Sequence, residues 1–308
     1  MTQHNYDNFN YWQIELIQLP SRGKMYNSDV KIKIRSMSVL EVKFLATLSP
    51  ANSTSICNEL LEKCCIIENM SFENLLLCDR EFLIFWIRLN SFTSGNGFTV
   101  TIPACAECKE KIEHTIKLMD LKFKYLDEEP LKEAYLTDLD IRVPLKFPKY
   151  NDSKIKFADE VEEMCMWIDT ENTIDEKFRF IASLTAYDFL TLKETIDHNY
   201  CGVIKDINVT CPKCGKDHPV RIVINDDNLF NSVNLAQILE TITRIAKYSN
   251  LQITNDWSWV EVEVEQQIIN KMIQEENEAN KKEIAQAKAK AGSVTSHTPS
   301  TPSIPRFR

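Results

Sequence analysis

Glycine is scarce, with six residues in a chain of 308. Folds built on glycine-rich phosphate loops or on many tight turns need more of it, so the body should be rich in helix. No P-loop, GxGxxG, GxSxG or HExxH occurs in the sequence. The usual signatures of nucleotide binding, nucleophile-elbow hydrolysis and zincin proteolysis are therefore missing. Long apolar runs are missing too: none approaches the about 18 residues that a membrane span requires. Positive charge is in deficit, 36 Lys and Arg against 45 Asp and Glu, for a formal net charge of −9. That balance argues against a protein whose main task is to grip phosphate backbones. A hydrophobic content of 44% and a charged content of 26% are ordinary for a soluble globular protein, and the length allows about two domains.

Cysteine is what the chain has in quantity. There are ten, and the sequence shows no secretory leader, so a reducing, intracellular setting is expected in which thiols serve as metal ligands or core filler. Four of them form two short turns, Cys105-Ala-Glu-Cys108 and Cys211-Pro-Lys-Cys214. Each turn sits between strand-like runs: Phe98 to Ile102 and Ile112 to Ile116 around the first, Ile207 to Val209 and Val220 to Ile224 around the second. Two thiolates two residues apart at a hairpin tip can hold one side of a tetrahedral zinc ion, so each turn is half a site. A redox CxxC belongs at a strand-to-helix turn, whereas strand-like alternation continues on both sides here, and Gly215 follows the second pair. A structural Zn2+ on Cys105, Cys108, Cys211 and Cys214 is therefore expected, closing a loop of about 100 residues. Four thiolates leave no position for water, which excludes a catalytic zinc at this site.

Taken in order, residues 1–35 read as an N-terminal β arm, with an alternating run from Tyr11 to Leu19, a Pro/Gly turn, and a strand from Val30 to Arg35. Ser38 with Glu41 forms a capping-box pattern, and helices are expected over 39–48, 53–68 and 71–91. With the first cysteine hairpin these make a helical lobe over 36–125. A Pro- and charge-rich connector over 118–150 carries one possible strand, 139–144. Helices over 158–168, 175–183 and 186–199 and the second hairpin complete a lobe over 126–230. The two lobes repeat an order of helices, break, strand, CxxC, strand, with Asp79 and Asp188 at similar distances before their cysteines. C-terminal helices over 231–291 follow, and the Ser/Thr/Pro-rich residues 292–308 should be disordered. The expected fold is α+β: two mainly helical lobes, each giving a β-hairpin knuckle to one shared zinc-ribbon-like site, with an N-terminal β arm and a long C-terminal helix.

The turn Leu19-Pro-Ser-Arg-Gly-Lys-Met-Tyr26, the helical segment, the paired knuckles and the C-terminal helices together resemble the baseplate hub proteins of T-even-like contractile-tailed bacteriophages, over roughly residues 11–275. The resemblance implies a non-catalytic virion structural or assembly protein, present in the host cytoplasm during assembly and in the tail baseplate of the particle. Its partners would be other hub or tail proteins, with no nucleic acid or membrane. Leu19, Pro20, Ser21, Gly23 and Tyr26 hold the family turn, which either joins two strands or meets a neighbouring subunit. Cys105, Cys108, Cys211 and Cys214 hold the zinc positions. The first knuckle lacks the Pro and Gly of the second, and the tail beyond 275 has no counterpart in the resemblance.

The remaining candidates are weaker. Cys57, Cys64, Cys65, Cys78, Cys165 and Cys201 fall on helices or helix ends, where buried inert thiols are the default; Cys201 could be a spare ligand. His114 and His218 follow the knuckles and read as surface or supporting groups. The competing class is a zinc-ribbon nucleic-acid binder using Lys109, Lys111, Lys117, Lys213, Lys216 and Arg221. Acidic neighbours dilute those charges and no stacking aromatics are present. A helix beginning near Asp256 carries Trp257, Val260, Val264, Ile268 and Met272 on one stripe and Trp259, Val262, Ile269 and Ile273 on another. Two stripes are more than a surface helix needs for its own core, so this helix is a candidate partner-binding element.

Overall fold

A computed structural model describes residues 10–93, 97–102, 104–105, 107–155, 159–222, 226–230 and 234–292. Strands β1 (Trp12–Ile14) and β2 (Lys31–Ile34) pair antiparallel, Trp12 opposite Ile34 and Ile14 opposite Ile32. Helices α1 (Val39–Leu45) and α2 (Ser53–Cys64) follow, then strand β3 (Cys65–Glu68) and helix α3 (Leu77–Ser91). β3 pairs with the free edge of β2 in the order β1-β2-β3. The N-terminal hairpin is thus stitched to the helical lobe, and its Ile32 and Ile34 are fully buried.

Three local readings change. The run from Tyr11 to Leu19 is strand for three residues only, because Leu16–Gln18 coils into a 3-10 turn. The helix expected over 53–68 stops at Cys64, since Ile66 and Ile67 are β-branched and β2 offers an open edge for their backbone. The helix expected from 71 begins at Leu77, after a 3-10 turn at Phe72–Asn74. The Ser38 cap forms as read: Glu41 Oε2 accepts the Ser38 N–H at 2.6 Å and its hydroxyl at 2.5 Å.

Strands β4 (Gly97–Ile102) and β5 (Ile112–Lys117) form the first knuckle hairpin. After β6 (Phe123–Lys124), the connector folds into a hairpin of β7 (Glu133–Leu136) and β8 (Ile141–Pro144), which buries Ala134, Leu136 and Val143. Helices α4 (Glu160–Cys165), α5 (Ile174–Ala182) and α6 (Ala186–Asn199) lead to β9 (Gly202–Val203). β10 (Asp206–Thr210) and β11 (Asp217–Arg221) make the second knuckle hairpin. The chain continues through α7 (Asp226–Phe230), α8 (Leu235–Ser249) and α9 (Trp259–Gly292). The tail beyond Gly292, expected to be disordered, lies outside the described residues.

Two apolar clusters form the body. The first gathers β1–β3, α1–α3 and, from the far end of the sequence, Leu229, Phe230, Ile238, Ile245, Trp259, Val262 and Ile269. The second gathers the β7–β8 hairpin with α4, α5 and α6. β6 pairs with β9, Phe123 opposite Val203, and both residues pack in the first cluster, so the strand after α6 ties the second cluster's last helix to the first cluster. The order hairpin, helices, knuckle hairpin occurs twice, which gives three-dimensional form to the repeat read from Asp79 and Asp188.

Candidate metal centre

The two knuckles close in the same way. Cys105 N–H donates to Glu110 O at 2.8 Å and Lys109 N–H to Cys105 O at 2.8 Å; Cys211 N–H donates to Lys216 O at 2.8 Å and Gly215 N–H to Cys211 O at 2.9 Å. In each, the residue after the second cysteine is left-handed: Gly215 at φ 74° and Lys109 at φ 59°. Lys109 therefore does the work of the glycine that the first knuckle lacks, at the strain an L-residue carries there.

The hairpins face each other so that all four sulfurs lie within 4.8 Å of one another. Cys105 and Cys214 Sγ are 3.6 Å apart, as are Cys108 and Cys211 Sγ. Sulfurs at about 2.3 Å from a tetrahedral zinc would be separated by about 3.8 Å, so the spacing fits such an ion. Cys105 and Cys211 are buried, Cys108 is half-buried and Cys214 is exposed. Among the described residues this is the one group of three or more His, Cys, Asp or Glu side chains that could hold a metal.

The charges of the thiols fit a cation too. The Cys108 N–H, followed by that of Glu107, lowers the Cys105 thiol to about 6. The N–H groups of Cys214 and Lys213 hold the Cys211 thiol below its ordinary value. The Lys216 N–H favours the Cys214 thiolate, but desolvation and the neighbouring sulfurs prevail and push that thiol up to about 12. Two thiolates form readily and the other two are opposed by their neighbours, an imbalance that a bound divalent cation removes.

Salt bridges cross between the knuckles. Lys213 of the second pairs with Glu110 of the first at 3.0 Å, and Lys216 of the second pairs with Glu107 of the first. Glu107 and Glu110 occupy the same places in their turn as Lys213 and Lys216 in theirs, so the knuckles match in shape and oppose in charge.

Other sequence candidates fall elsewhere. Cys201 is not in the cluster; it meets Cys78 instead. His218 is not a member, and its Nε2 is buried without a hydrogen-bond partner; the His114 side chain lies outside the described ones. Leu19, Pro20, Ser21 and Gly23 are buried. Ser21 donates its N–H to Asp79 Oδ1 at 3.0 Å and its hydroxyl to Oδ2 at 2.6 Å. The Tyr26 hydroxyl donates to the same Asp79 Oδ2 at 2.5 Å and accepts the Leu76 N–H at 2.9 Å. Burial, then the Asp79 charge, raises the Tyr26 phenol well above its usual range. Pro20 O accepts the Leu126 N–H at 2.8 Å, and Arg22 pairs with Asp127 at 3.1 Å. Sequence reasoning did not find this acceptor role of Asp79, although the Asp79–Asp188 match marked the position.

On the C-terminal helix the stripes part. Trp259, Val262 and Ile269 are buried, Trp259 with its indole N–H on Glu263 at 3.0 Å, and Ile273 packs at the cluster's edge, as does Trp257, which lies in the bend before the helix rather than on the expected stripe. Val260 is half-buried. Val264, Ile268 and Met272 are 44%, 48% and 57% exposed. Every side chain from 274 to 287 is exposed.

A family described as T4 bacteriophage base plate protein matches residues 12–230. The chain belongs to that family. The match runs from β1 to the end of α7 and takes in both knuckles and the buried turn. No curated protein and no solved structure matches the chain. Membership places the chain among the structural proteins of the phage baseplate, in the virion tail. No described helix is long and apolar enough to cross a membrane.

Proposed function

We propose that this chain is a non-catalytic structural and assembly protein of the baseplate hub, with a structural zinc on Cys105, Cys108, Cys211 and Cys214 joining its two halves. The observation that carries the reading is the four-sulfur cluster, made from two knuckles distant in sequence and closed by crossed ion pairs, in a chain of the base plate family. When bound, zinc would hold the four thiolates in one tetrahedron and make metal binding part of folding. The protein supplies the rest: turn N–H groups that favour thiolate at Cys105 and Cys211, and carboxylates that neutralise the knuckle lysines. That neutralisation supports an assembly role over a nucleic-acid-binding ribbon, because Lys213 and Lys216 are committed to Glu110 and Glu107.

The partner in this reading is another hub or tail subunit. Trp259, Val260 and Ile269, with Trp257 in the bend before it, seat α9 on the body or at its edge, and Val264, Ile268 and Met272 face outward for docking. Phage lacking the chain should produce tails without complete baseplates, and complementation should restore them; normal baseplates in the deletion overturn the proposal. Mass spectrometry of purified virions tells whether the chain stays in the particle. On heparin, the protein should flow through at low salt, whereas strong retention that falls steeply with salt would favour the nucleic-acid reading.

A further inference from the structure

A second cysteine pair lies away from the knuckles. Cys78, in the first turn of α3, and Cys201, between α6 and β9, place their sulfurs 3.2 Å apart. Both pack in the second apolar cluster, Cys201 within it and Cys78 at its edge, while α3 further along gives Leu83, Ile84, Phe85 and Ile87 to the first. The approach is built into the backbone. Gly202, at φ 127°, brings β9 so close to α3 that a Cβ there would meet Cys78 Cβ at 3.4 Å and Cys78 Cα at 3.9 Å. Both thiols line a cavity of about 60 Å³ with Leu77, Glu81, Tyr200 and Lys205. That volume leaves room for water or a small peroxide beside the thiols.

We propose that Cys78 and Cys201 are an oxidisable pair that a small peroxide converts into a disulfide, covalently joining the two halves. The sulfurs need to close by only about 1.2 Å to reach bonding distance. A peroxide transfers one oxygen to the Cys78 sulfur and leaves as water, giving a sulfenic acid. The Cys201 sulfur then attacks Cys78 Sγ; the S–O bond breaks, and the hydroxyl leaves as a second water with the Cys201 proton. Two thiols lose two electrons and two protons, and one peroxide becomes two waters. The hydrogen bond with Cys201, and then burial, raise the Cys78 thiol, so the reaction is slow compared with that of an exposed cysteine. In a reducing compartment the pair stays as thiols; in a particle released into an aerated medium it closes. The inference does not need the metal, and it uses the hub reading only for that timing.

The test treats the full-length protein with hydrogen peroxide, blocks remaining thiols with N-ethylmaleimide, and maps peptides without reduction. Metal content is measured alongside, so loss of metal from the knuckles is seen separately. The expected result is a Cys78–Cys201 linked peptide, a protein lighter by two hydrogens, and a melting temperature several degrees higher than that of the reduced form. Cys201→Ala should remove the linked peptide and the temperature rise while leaving the knuckle cysteines unlinked; Cys78→Ser, should it fold, should do the same. N-ethylmaleimide on both Cys78 and Cys201 after peroxide, oxidation no further than sulfenic or sulfinic acid, or a disulfide joining either one to a knuckle cysteine would overturn the proposal.

Discussion

Asp79 and Asp188 are both fully buried in the first turn of the helix that leads to a cysteine knuckle, and each accepts a backbone N–H from the preceding hairpin turn. Ser21 N–H donates to Asp79 Oδ1 at 3.0 Å; Asp138 N–H donates to Asp188 Oδ1 at 3.1 Å. The turns match further: Leu19 and Leu136 are buried two residues before these donors, and Gly23 at φ 68° and Asp140 at φ 53° follow two residues after them. The two halves thus share a pinning device as well as an order of elements. They differ in how fully it is used, since Asp79 also receives the Ser21 and Tyr26 hydroxyls, while Asp188 Oδ2 has no partner. Asp79→Ala strands the Ser21 N–H, the Ser21 and Tyr26 hydroxyls and the weaker Cys78 thiol donor and should destabilise by about 3–5 kcal/mol, against about 1–2 kcal/mol for Asp188→Ala. Urea denaturation of the two variants measures the gap, and equal losses would show that the extra hydroxyls contribute nothing.

Natively purified protein should contain one zinc per chain. Cys211→Ser should release it and lower the melting temperature, since structural zinc contributes on the order of 10 kcal/mol in small sites. Emission spectrometry of the metal and a thermal scan together check this. Two metals per chain, or none in the native protein, would refute a shared site.

The left-handed turn residues make opposite predictions in two places. A Cβ on Gly23 would lie 2.6 Å from Leu16 Cβ, so Gly23→Ala should cost about 2–4 kcal/mol through strain and clash. Lys109 holds a similar φ with a side chain attached, so Lys109→Gly should stabilise the first knuckle by about 1 kcal/mol. Denaturant titration of each variant gives the sign directly.

Acid sensitivity should centre on Arg35 and Glu41, a buried pair at 3.0 Å. Burial alone would raise the Glu41 carboxyl, but hydrogen bonds from Arg35, its charge and Ser38 hold it below the usual range. A carboxyl with a depressed folded pKa contributes stability that is present above its unfolded value, near 4.5, and lost as pH falls through the folded value. The wild-type protein should therefore lose stability below that pH more steeply than Glu41→Gln, which starts lower. Parallel curves from pH-dependent urea titrations would exclude this pair as a source of acid lability.

Charged substitutions on the outer stripe of α9, Val264→Asp with Ile268→Asp, should change stability by no more than about 0.5 kcal/mol, as expected of exposed positions. They should nonetheless abolish incorporation into baseplates. Truncation after 273 should leave incorporation intact, whereas truncation after 250 removes Trp259 and Ile269 from the core and should destabilise the body. Normal incorporation of the double variant would end the docking role of this stripe.

Much of this architecture is visible in short-range chemistry. The Ser38 box, the limits of α6 and the four clustered cysteines follow from caps, periodicity and spacing, which are local properties. What is hidden depends on distant partners. Cys65–Glu68 reads as the end of a helix until β2 offers its edge. Glu133–Leu136 reads as connector until β8 folds back on it. Nothing near Lys109 announces a left-handed residue; the demand comes from closing the knuckle. The meeting of Cys78 with Cys201 was equally illegible, because each looks like an inert helix-end thiol and only the pairing of β6 with β9 brings them together.

The placement of α8 and α9 on the first apolar cluster sets an order for biosynthesis. A ribosome delivers β1–β3 and α1–α3 well before Ile238, Ile245, Trp259 and Ile269, which cover that cluster and are made only after both knuckles. Until then the earliest-made lobe exposes apolar surface, and its first knuckle waits for Cys211 and Cys214. Contacts that span most of the chain slow folding, and the uncovered intermediate is open to aggregation or to a chaperone. Premature termination anywhere before α9 should therefore yield an insoluble fragment rather than a smaller working subunit, so that incomplete chains are withheld from the growing particle.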